Sequence, residues 1–354
     1  MALLEVDKIE ITVLVDNELD PITPSLHPDV QYAGQMRGLQ LTPVAATPPR
    51  GDAALELRMD SICCAAHGLS LMIKATKCDE THTLLFDTGP EEAVWERNVQ
   101  RLKADVGGVE RIHLSHWHRD HSGGMLKAIN MINAASSASA QTNERDEALK
   151  KVVVDLHPDR PDFRGVQFPG RSPISLEADP TLDAITAAGG IVETHDEAHT
   201  VSNGFFWVSG EIPRLTPYEG GIKGAVRYVA ATNTWQPDPL IQEERLVACH
   251  LKGKGLVVFT GCSHAGVVNA SRCAVGSLGG QKLHAVVGGF HLADNDTEKM
   301  AATLADLKAL APTVIVPGHC TGWRFKYDYE QAVPGSLVPS FVGTRYLMEG
   351  KADE

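Results

Sequence analysis

The 354-residue sequence lacks three features that would point to large classes of proteins: a surplus of basic residues, a long apolar run and a paired-cysteine motif. Its 32 Lys and Arg residues against 45 Asp and Glu residues give a formal net charge of −13. A surface that binds nucleic acid or an anionic membrane needs the opposite sign, so we expect neither as a main partner. Because no run of about 18 apolar residues is present, we expect no membrane-spanning helix.

The seven cysteines are odd in number and show no CxxC spacing, so the sequence does not predict a disulfide framework. The first ten residues contain four charged side chains and no apolar core of a secretory signal. Both observations favour a cytoplasmic protein. A P-loop or dinucleotide-binding glycine motif is also absent from the sequence.

What the sequence does contain is an alternation of apolar strands with helical stretches, which is typical of an α/β layered domain. We expect one catalytic domain over residues 1–354, since 43% of the residues are hydrophobic and can form a sizeable core. Residues 20–66 include a stretch rich in Pro, Thr and Gly, which predicts an irregular excursion that could serve as a lid or a dimer contact. Residues 134–150 have the composition of a flexible insertion.

Histidine is abundant, with 15 residues, and three of them fall within the string His116-Trp117-His118-Arg119-Asp120-His121. A predicted strand precedes the string and a glycine pair follows it, a context that a solvated histidine-rich loop does not require. On an extended or turning backbone, His116 and His118 project to one side and can reach one ion, while Asp120 and His121 can serve a second. Zinc binds imidazole nitrogen and carboxylate oxygen at about 2.0–2.2 Å, so distant loops must deliver the remaining ligands.

Three predicted strands in the C-terminal half each end in a turn that presents one histidine. The turns are Gly261-Cys262-Ser263-His264, Gly288-Gly289-Phe290-His291 and Pro317-Gly318-His319. These strand-end histidines can supply the ligands from distant loops.

The motifs resemble those of the metallo-β-lactamase superfamily, whose HxHxDH signature is matched by the string that begins at His116. The turn Asp87-Thr88-Gly89 after a strand also resembles that superfamily. Four further blocks resemble a narrower branch, the metal-dependent hydrolases related to the dihydropterinyl-methyl ribofuranosylaminobenzene phosphate synthase of methanopterin biosynthesis. The blocks are Ala66–Ser70, Gly261–Gly266, Gly288–Leu292 and Pro317–Gly322. The resemblance implies a four-layer αββα sandwich with one or two metals at the loops along one edge.

The resemblance also implies two sets of metal ligands. These are His116, His118 and His264 for one divalent ion, and Asp120, His121 and His319 for the other. Zinc is the favoured metal, with manganese and iron as alternatives. In many relatives an aspartate between the last two histidines bridges both metals, but here that slot falls either to His291 or to Cys262. We favour His291 near the metals and Cys262 as a buried thiol under the loop.

Three further candidates, Asp87, His67 and Glu211, each have a plainer alternative. Asp87 either orients a ligand or caps the turn before Gly89. The apolar stretches Ser70–Lys74 and Thr83–Phe86 predict a hairpin. His67 could approach the site from this hairpin, although a packed or surface histidine is the commoner case. Glu211, with the nearby Arg214, could contact an anionic or carbonyl group of a substrate, although solvated loop charges are the plainer interpretation.

Some residues of the right chemical type have no clear signal. His195 and His199 lie four apart, but their surroundings do not favour a helix, so we leave them out of the site. Four tryptophans could wall a pocket, although an aromatic core is their ordinary role. They are Trp117, Trp207, Trp235 and Trp323.

Neutral imidazoles that hold a cation make hydroxide available at neutral pH, which favours a metal-dependent hydrolase. We expect it to act on an ester, lactone, amide or phosphoester bond of a small molecule that could be anionic, with Asp120 orienting the water. The resemblance offers a metal-dependent transferase or synthase as an alternative, and a non-catalytic metal-binding module is a third hypothesis. A homo-oligomer is compatible with the sequence.

Overall fold

The computed structural model describes residues 2–32, 41–47, 49–142, 151–294 and 296–352 of the chain. Two mixed β-sheets carry the fold, and helices cover the outer face of each. The helices are α1 (Glu92–Leu102), α2 (Arg119–Ser122), α3 (Met125–Thr142), α4 (Leu182–Ala187), α5 (Val267–Ser277), α6 (Thr297–Leu310) and α7 (Trp323–Ala332). Among the described residues, we find no helix with the length and apolar character needed to cross a bilayer.

The first sheet has eight strands. They are β2 (Lys8–Val15), β3 (Gln31–Tyr32), β6 (Ser70–Lys77), β7 (Glu80–Phe86), β8 (Val109–His113), β9 (Val153–Leu156), β12 (Ile191–Thr194) and β21 (Arg345–Glu349). Their spatial order is β12-β9-β8-β7-β6-β2-β21-β3. The predicted hairpin is formed by β6 and β7, and β7 then pairs in parallel with β8, which leads into the histidine-rich string.

The second sheet has seven strands. They are β1 (Glu5–Val6), β13 (His199–Val201), β14 (Phe206–Val208), β17 (Val247–Leu251), β18 (Gly255–Thr260), β19 (Leu283–Gly289) and β20 (Val314–Gly318). Six of them follow the order β13-β14-β17-β18-β19-β20, while β1 pairs with β17. Because β18, β19 and β20 are parallel neighbours, the three turns that carry His264, His291 and His319 lie along one edge of this sheet.

Apolar side chains form three cores that alternate with the sheets. One core lies between the two sheets and includes Ile11 and Phe86 from the first and Phe259 from the second. A second core joins the outer face of the first sheet to α1 and α3, and a third joins the outer face of the second sheet to α5, α6 and α7. This layering confirms the predicted αββα sandwich.

Two smaller sheets decorate the sandwich. The larger of them, called here the third sheet, has the order β11-β10-β15-β16 and comes from residues between β9 and β17. Its strands are β10 (Phe163–Val166), β11 (Ile174–Ser175), β15 (Ala225–Val229) and β16 (Thr234–Pro237). The other is a hairpin of β4 (Leu41–Pro43) and β5 (Leu55–Leu57) within the excursion over residues 20–66. Whether that excursion acts as a lid or a dimer contact stays a prediction.

The prediction of a flexible insertion over residues 134–150 is wrong for its first part, since residues 134–142 belong to α3. Four of these residues are alanine, the strongest helix former, so the helix continues beyond its apolar stretch. Ala135 also packs against the core outside the first sheet. Residues 143–150 lie outside the described part of the chain.

Candidate metal centre

The histidine-rich string forms a tight turn between β8 and α2. The His118 N–H donates to the His116 carbonyl over 3.0 Å, and the His121 N–H donates to the His118 carbonyl over 3.0 Å. Trp117 is buried in the outer core of the first sheet. With Trp117 anchored on that side, the imidazoles of His116 and His118 meet on the other, as the spacing predicts.

Three imidazoles form the first donor cluster, which we call the three-histidine group: His116, His118 and His264. His116 Nε2 lies 2.9 Å from His118 Nδ1. His264 Nε2 lies 3.1 Å from His116 Nε2 and 3.2 Å from His118 Nδ1. The turn after β18 therefore delivers the ligand that the resemblance assigns to this ion.

Four side chains form the second cluster, which we call the mixed group: Asp120, His121, Cys262 and His319. Cys262 Sγ lies 3.1 Å from His121 Nε2 and 3.2 Å from His319 Nε2. Asp120 Oδ2 lies 3.3 Å from His319 Nε2 and 3.7 Å from His121 Nε2. The rings of His116 and His121 are 4.4 Å apart, so the two groups adjoin.

Three of these histidines use Nδ1, on the side of the ring away from the two groups, to make hydrogen bonds with neighbouring residues. These hydrogen bonds show that the donor set fits a cation. Asp87 Oδ2 accepts from His121 Nδ1 over 2.6 Å and from the Ser115 hydroxyl over 2.8 Å. The Ser115 oxygen, whose proton goes to Asp87, accepts in turn from His116 Nδ1 over 2.9 Å, and Asn17 Oδ1 accepts from His319 Nδ1 over 2.9 Å. With Nδ1 of His116, His121 and His319 engaged on the outer side, Nε2 of each of these three rings faces the groups, the arrangement typical of histidine bound to a metal.

The electrostatics of the two groups differ. In the mixed group, Asp120 and Asp87 raise the pKa of His121 despite its burial, and Cys320 and Asp120 raise the pKa of His319, so a cation bound there would displace protons. Although burial alone would raise the pKa of Asp120, the His121 and His319 imidazoles hold it well below its usual range. Asp120 is thus a carboxylate, with 23% of its side chain exposed.

The three-histidine group is unprotonated. Burial lowers the pKa of His118 to about 3 and holds the pKa values of His116 and His264 well below the ordinary value. These three rings therefore carry no extra proton, and their converging nitrogen lone pairs repel one another unless a cation binds between them.

Asp87 occupies the position of a residue that orients ligands. Besides its contacts with His121 and the Ser115 hydroxyl, its Oδ1 accepts from the Ser115 N–H over 2.7 Å. Its backbone has a φ of 59°, in the left-handed region that Asp tolerates better than most residues. Of the two interpretations of Asp87, the geometry favours orientation of a ligand over a simple turn cap.

The structure departs from our preference for His291 over Cys262. Cys262 Sγ contacts two donors of the mixed group, whereas the His291 ring stands beside His264, with 4.7 Å between ring centroids, and belongs to neither group. The physical reason is the left-handed φ of 59° at Ser263, which lets Cys262 and His264 from one turn face the two groups. The donor geometry therefore favours Cys262 for the slot between the late histidines, while His291 lines the open cavity over both groups, beside His264.

An open cavity of about 1260 Å³ lies over both groups. His67 reaches its rim, with Nε2 3.5 Å from Asp120 Oδ2, so it does approach the site. Trp323 also lines the cavity and is 69% exposed, whereas Trp117 and Trp207 are buried in the outer cores and Trp235 lies on β16 of the third sheet.

Glu211 does not belong to this cavity. Its carboxylate accepts from Gln242 at the surface, and Arg214 donates to a backbone carbonyl at Leu240. Neither side chain lines the cavity in the described structure, so the interpretation as loop charges is the better one.

A third cluster, formed by Asp155, His195 and His199, gathers the two histidines that the sequence analysis left aside. Its carboxylate is already paired with Arg245 over 3.0 Å and Arg111 over 3.4 Å. Because these guanidinium groups neutralise Asp155 and repel a cation, we do not assign a metal to this cluster.

Several residues that hold the metal-site histidines in place were not predicted from the sequence. Asp16 accepts from the His319 N–H over 2.8 Å, and Asn17 holds the His319 ring. This pair directly follows the first apolar strand, just as Asp87 follows β7, and that shared position was the available signal. Glu243 accepts from the Trp117 N–H, and Glu244 accepts from the His264 N–H. Both lie just before β17, and no sequence pattern marked them.

The glycine pair after the string is required by packing against the chain around Pro90. A Cβ on Gly123 would lie 1.8 Å from the Pro90 carbonyl oxygen. We expect Gly123→Ala to lower the free energy of unfolding by at least about 2 kcal/mol, because backbone must move to make room. The measurement is urea unfolding of both the variant and the parent protein. Gly276→Ala is the control, since a Cβ there meets nothing within 4 Å and alanine favours its helix, α5. Equal stabilities of the two variants would refute this account.

Comparison with known proteins places these observations in context. No profile of a known protein family matches the sequence. The 7,8-dihydropterin-6-methyl-4-(β-D-ribofuranosyl)-aminobenzene-5′-phosphate synthase of Methanocaldococcus jannaschii is 28% identical over 280 residues, which are 77% of this chain and 89% of the relative. This relationship agrees with the branch that the sequence motifs resemble.

Two solved structures superpose on this chain over nearly its whole length. Tm1679, a metal-dependent hydrolase of the β-lactamase superfamily, superposes with a TM-score of 0.63 and 18% identity over 95% of this chain and 98% of that one. The metallo-β-lactamase fold protein YhfI from Bacillus subtilis has a TM-score of 0.47 and 11% identity over 96% of this chain and 100% of its own. The similarity to Tm1679 shows that this chain has the metallo-β-lactamase fold.

Proposed function

We propose that this chain, with its metallo-β-lactamase fold, is a metal-dependent hydrolase that cleaves an ester, lactone, amide or phosphoester bond of a small molecule. The observation that supports this proposal is the convergence of the three-histidine and mixed groups at the floor of one open cavity. Two divalent ions would be held there, one by each group. Zinc is favoured over manganese or iron, because imidazole and thiolate are the softer ligands that suit it.

A bound divalent cation would lower the pKa of a coordinated water towards neutrality and polarise the bond under attack. The chain itself supplies orientation. Asp120 is the carboxylate of the mixed group. It lines the cavity with its Oδ2 3.7 Å from Nε2 of the buried His121, and it can accept a hydrogen bond from a water there. We therefore assign to Asp120 the role of orienting the attacking water.

A small anionic substrate fits the site because two divalent cations would make it locally positive. Their charge would offset the acidic side chains that line the cavity beside Arg119, which are Glu18, Glu91, Glu177 and Asp294. The net charge of −13 and the lack of a basic run argue against nucleic acid or an anionic membrane as a partner. All seven cysteines are unpaired in the structure, which agrees with a reducing compartment, and we place the reaction in the cytoplasm.

A second candidate is a metal-dependent synthase or transferase. The specific observation that favours it is the relationship to the methanopterin-pathway synthase, which extends over 77% of this chain. The same donor groups would then position a phosphorylated or pterin-like substrate instead of activating water.

The two candidates differ in the origin of the oxygen in the product. The protein is purified without chelator, its metal content is measured, and generic phosphodiester, lactone and thioester substrates are screened in ¹⁸O-labelled water. We expect at least one equivalent of metal and transfer of the label into one product. Turnover without label would favour the synthase. Less than one equivalent of metal, with no activity restored by zinc, manganese or iron, would refute the hydrolase.

A further inference from the structure

Two adjacent buried carboxylates, which belong to no strand, accept hydrogen bonds from the backbone at the three-histidine group. Glu243 and Glu244 lie between the third sheet and β17, and neither is a member of a donor group. Burying two neighbouring carboxylates is costly, so their hydrogen-bond partners indicate what the fold gains from them.

Glu244 holds the turn that carries His264. One of its oxygens accepts from the His264 N–H over 2.8 Å, and the other accepts from the Ala265 N–H over 2.6 Å. Nδ1 of the His264 ring is buried and has no hydrogen-bond partner within the described structure. The orientation of this histidine therefore depends on its backbone, which Glu244 fixes.

Glu243 holds the peptide between the other two histidines. Its Oε1 accepts from the Trp117 N–H over 3.3 Å and also from Arg164. Nε of the buried Arg164 donates to the Trp117 carbonyl over 2.7 Å. Both polar groups of Trp117 are thus engaged, with His116 on one side of it and His118 on the other.

We propose that Glu243 and Glu244 are positioning residues that set the separation between the two arms of the three-histidine group. Glu243 and Glu244 are joined by one peptide, across which Cα atoms are about 3.8 Å apart. Hydrogen bonds hold both carboxylates, so the chain links the two contacts over a short distance. One carboxylate holds the His116–His118 arm and the other holds the His264 arm. This inference rests on the proposed function, because it assumes that the group binds a divalent cation.

Glu244→Gln tests the proposal, since an amide keeps the size of the side chain but presents an acceptor to only one of the two N–H groups. Cobalt(II) is the probe, because its visible absorption reports the geometry of the ligands. We expect cobalt and zinc affinity at the three-histidine group to fall roughly 10–100-fold, the usual effect of losing a residue that orients metal ligands. The cobalt spectrum should change as well.

Glu219→Gln is the matched control. Glu219 is also buried and accepts from two consecutive N–H groups, those of Val268 and Asn269, each over 2.9 Å. Its two backbone partners lie in α5, its third partner is the Thr216 hydroxyl, which donates over 2.8 Å, and none of them is a donor of either group. We expect this variant to lose stability but to keep the parent's cobalt affinity and spectrum.

Arg164→Lys is a second, independent test, because lysine keeps the positive charge beside Glu243 but cannot bridge two acceptors as a planar guanidinium does. Cobalt affinity should again fall while the mixed group keeps its ion. If both Glu244→Gln and Arg164→Lys keep the parent's cobalt affinity and cobalt spectrum, the inference is overturned, but the proposed function is not. A parent protein that binds neither cobalt nor zinc would instead overturn the proposed function, and the inference with it.

Discussion

Asp120→Asn should abolish measurable turnover, a loss of roughly 10²–10⁴-fold, while leaving most of the bound metal in place. Asparagine keeps the shape of the side chain and one acceptor oxygen but loses the charge that orients the water. The three-histidine group does not include Asp120. In the mixed group, asparagine still offers its Oδ1 beside His121, Cys262 and His319, so four donors would remain for a second ion. The measurements are kcat on a substrate identified by the screen and metal content by elemental analysis.

The control for this experiment is Glu177→Gln. Glu177 lines the same cavity but is exposed, is paired with Arg119 over 3.1 Å, and belongs to neither donor group. We expect near-parental kcat and metal content in this variant. Full activity in Asp120→Asn would remove Asp120 from the reaction, and parallel losses of activity and metal would reduce its role to that of a ligand.

Much of the site could be predicted from the spacing of its histidines along the sequence. His116 and His118 are two residues apart and close a single turn, so their convergence depends on only a few backbone angles. His264 and His319 follow parallel strands of one sheet, and such strands end at a common edge. These constraints are readable from a sequence once the strands are recognised.

The choice between Cys262 and His291 was not readable in this way. Both residues follow apolar strands of the second sheet, so the pattern of strands and turns does not decide which of them lies at the metal slot. What separates them is where the left-handed backbone falls in each turn. In one turn it is at Ser263, between Cys262 and His264, with the Ser263 hydroxyl donating to the Gly289 carbonyl over 2.7 Å. In the other it is at His291 itself, with a φ of 47°. A positive φ at a residue other than glycine is uncommon, and no sequence pattern marked it here.

Supporting residues were the hardest to foresee, because their contacts join segments far apart in the chain. Asn17 orients His319 across a separation of 302 residues. Glu243 likewise meets Trp117 from a segment with no periodicity of its own. The fold shows the same limit, since the alternation of strands and helices predicts the layers but does not reveal the third sheet.

Cys262→Ala should cost the protein one of two metal equivalents. Cys262 Sγ lies 3.1 Å and 3.2 Å from two imidazole nitrogens of the mixed group, which then loses one of its four donors. Burial raises the pKa of this thiol, so a bound cation must displace its proton, and the second ion should bind more tightly as the pH rises. Elemental analysis after dialysis at two pH values measures both effects.

Cys262→Asp should restore the second equivalent but change its identity. Thiolate ligands select zinc, whereas carboxylates suit manganese, so dialysis against equimolar zinc and manganese should give at least about tenfold more manganese per zinc than in the parent. The control is Cys249→Ala, which removes a thiol from the core between the sheets and should lower stability without changing metal content. If Cys262→Ala keeps both equivalents and Cys262→Asp keeps the parental preference for zinc, Cys262 is only a buried thiol under the loop. The second ion would then depend on Asp120, His121 and His319 alone.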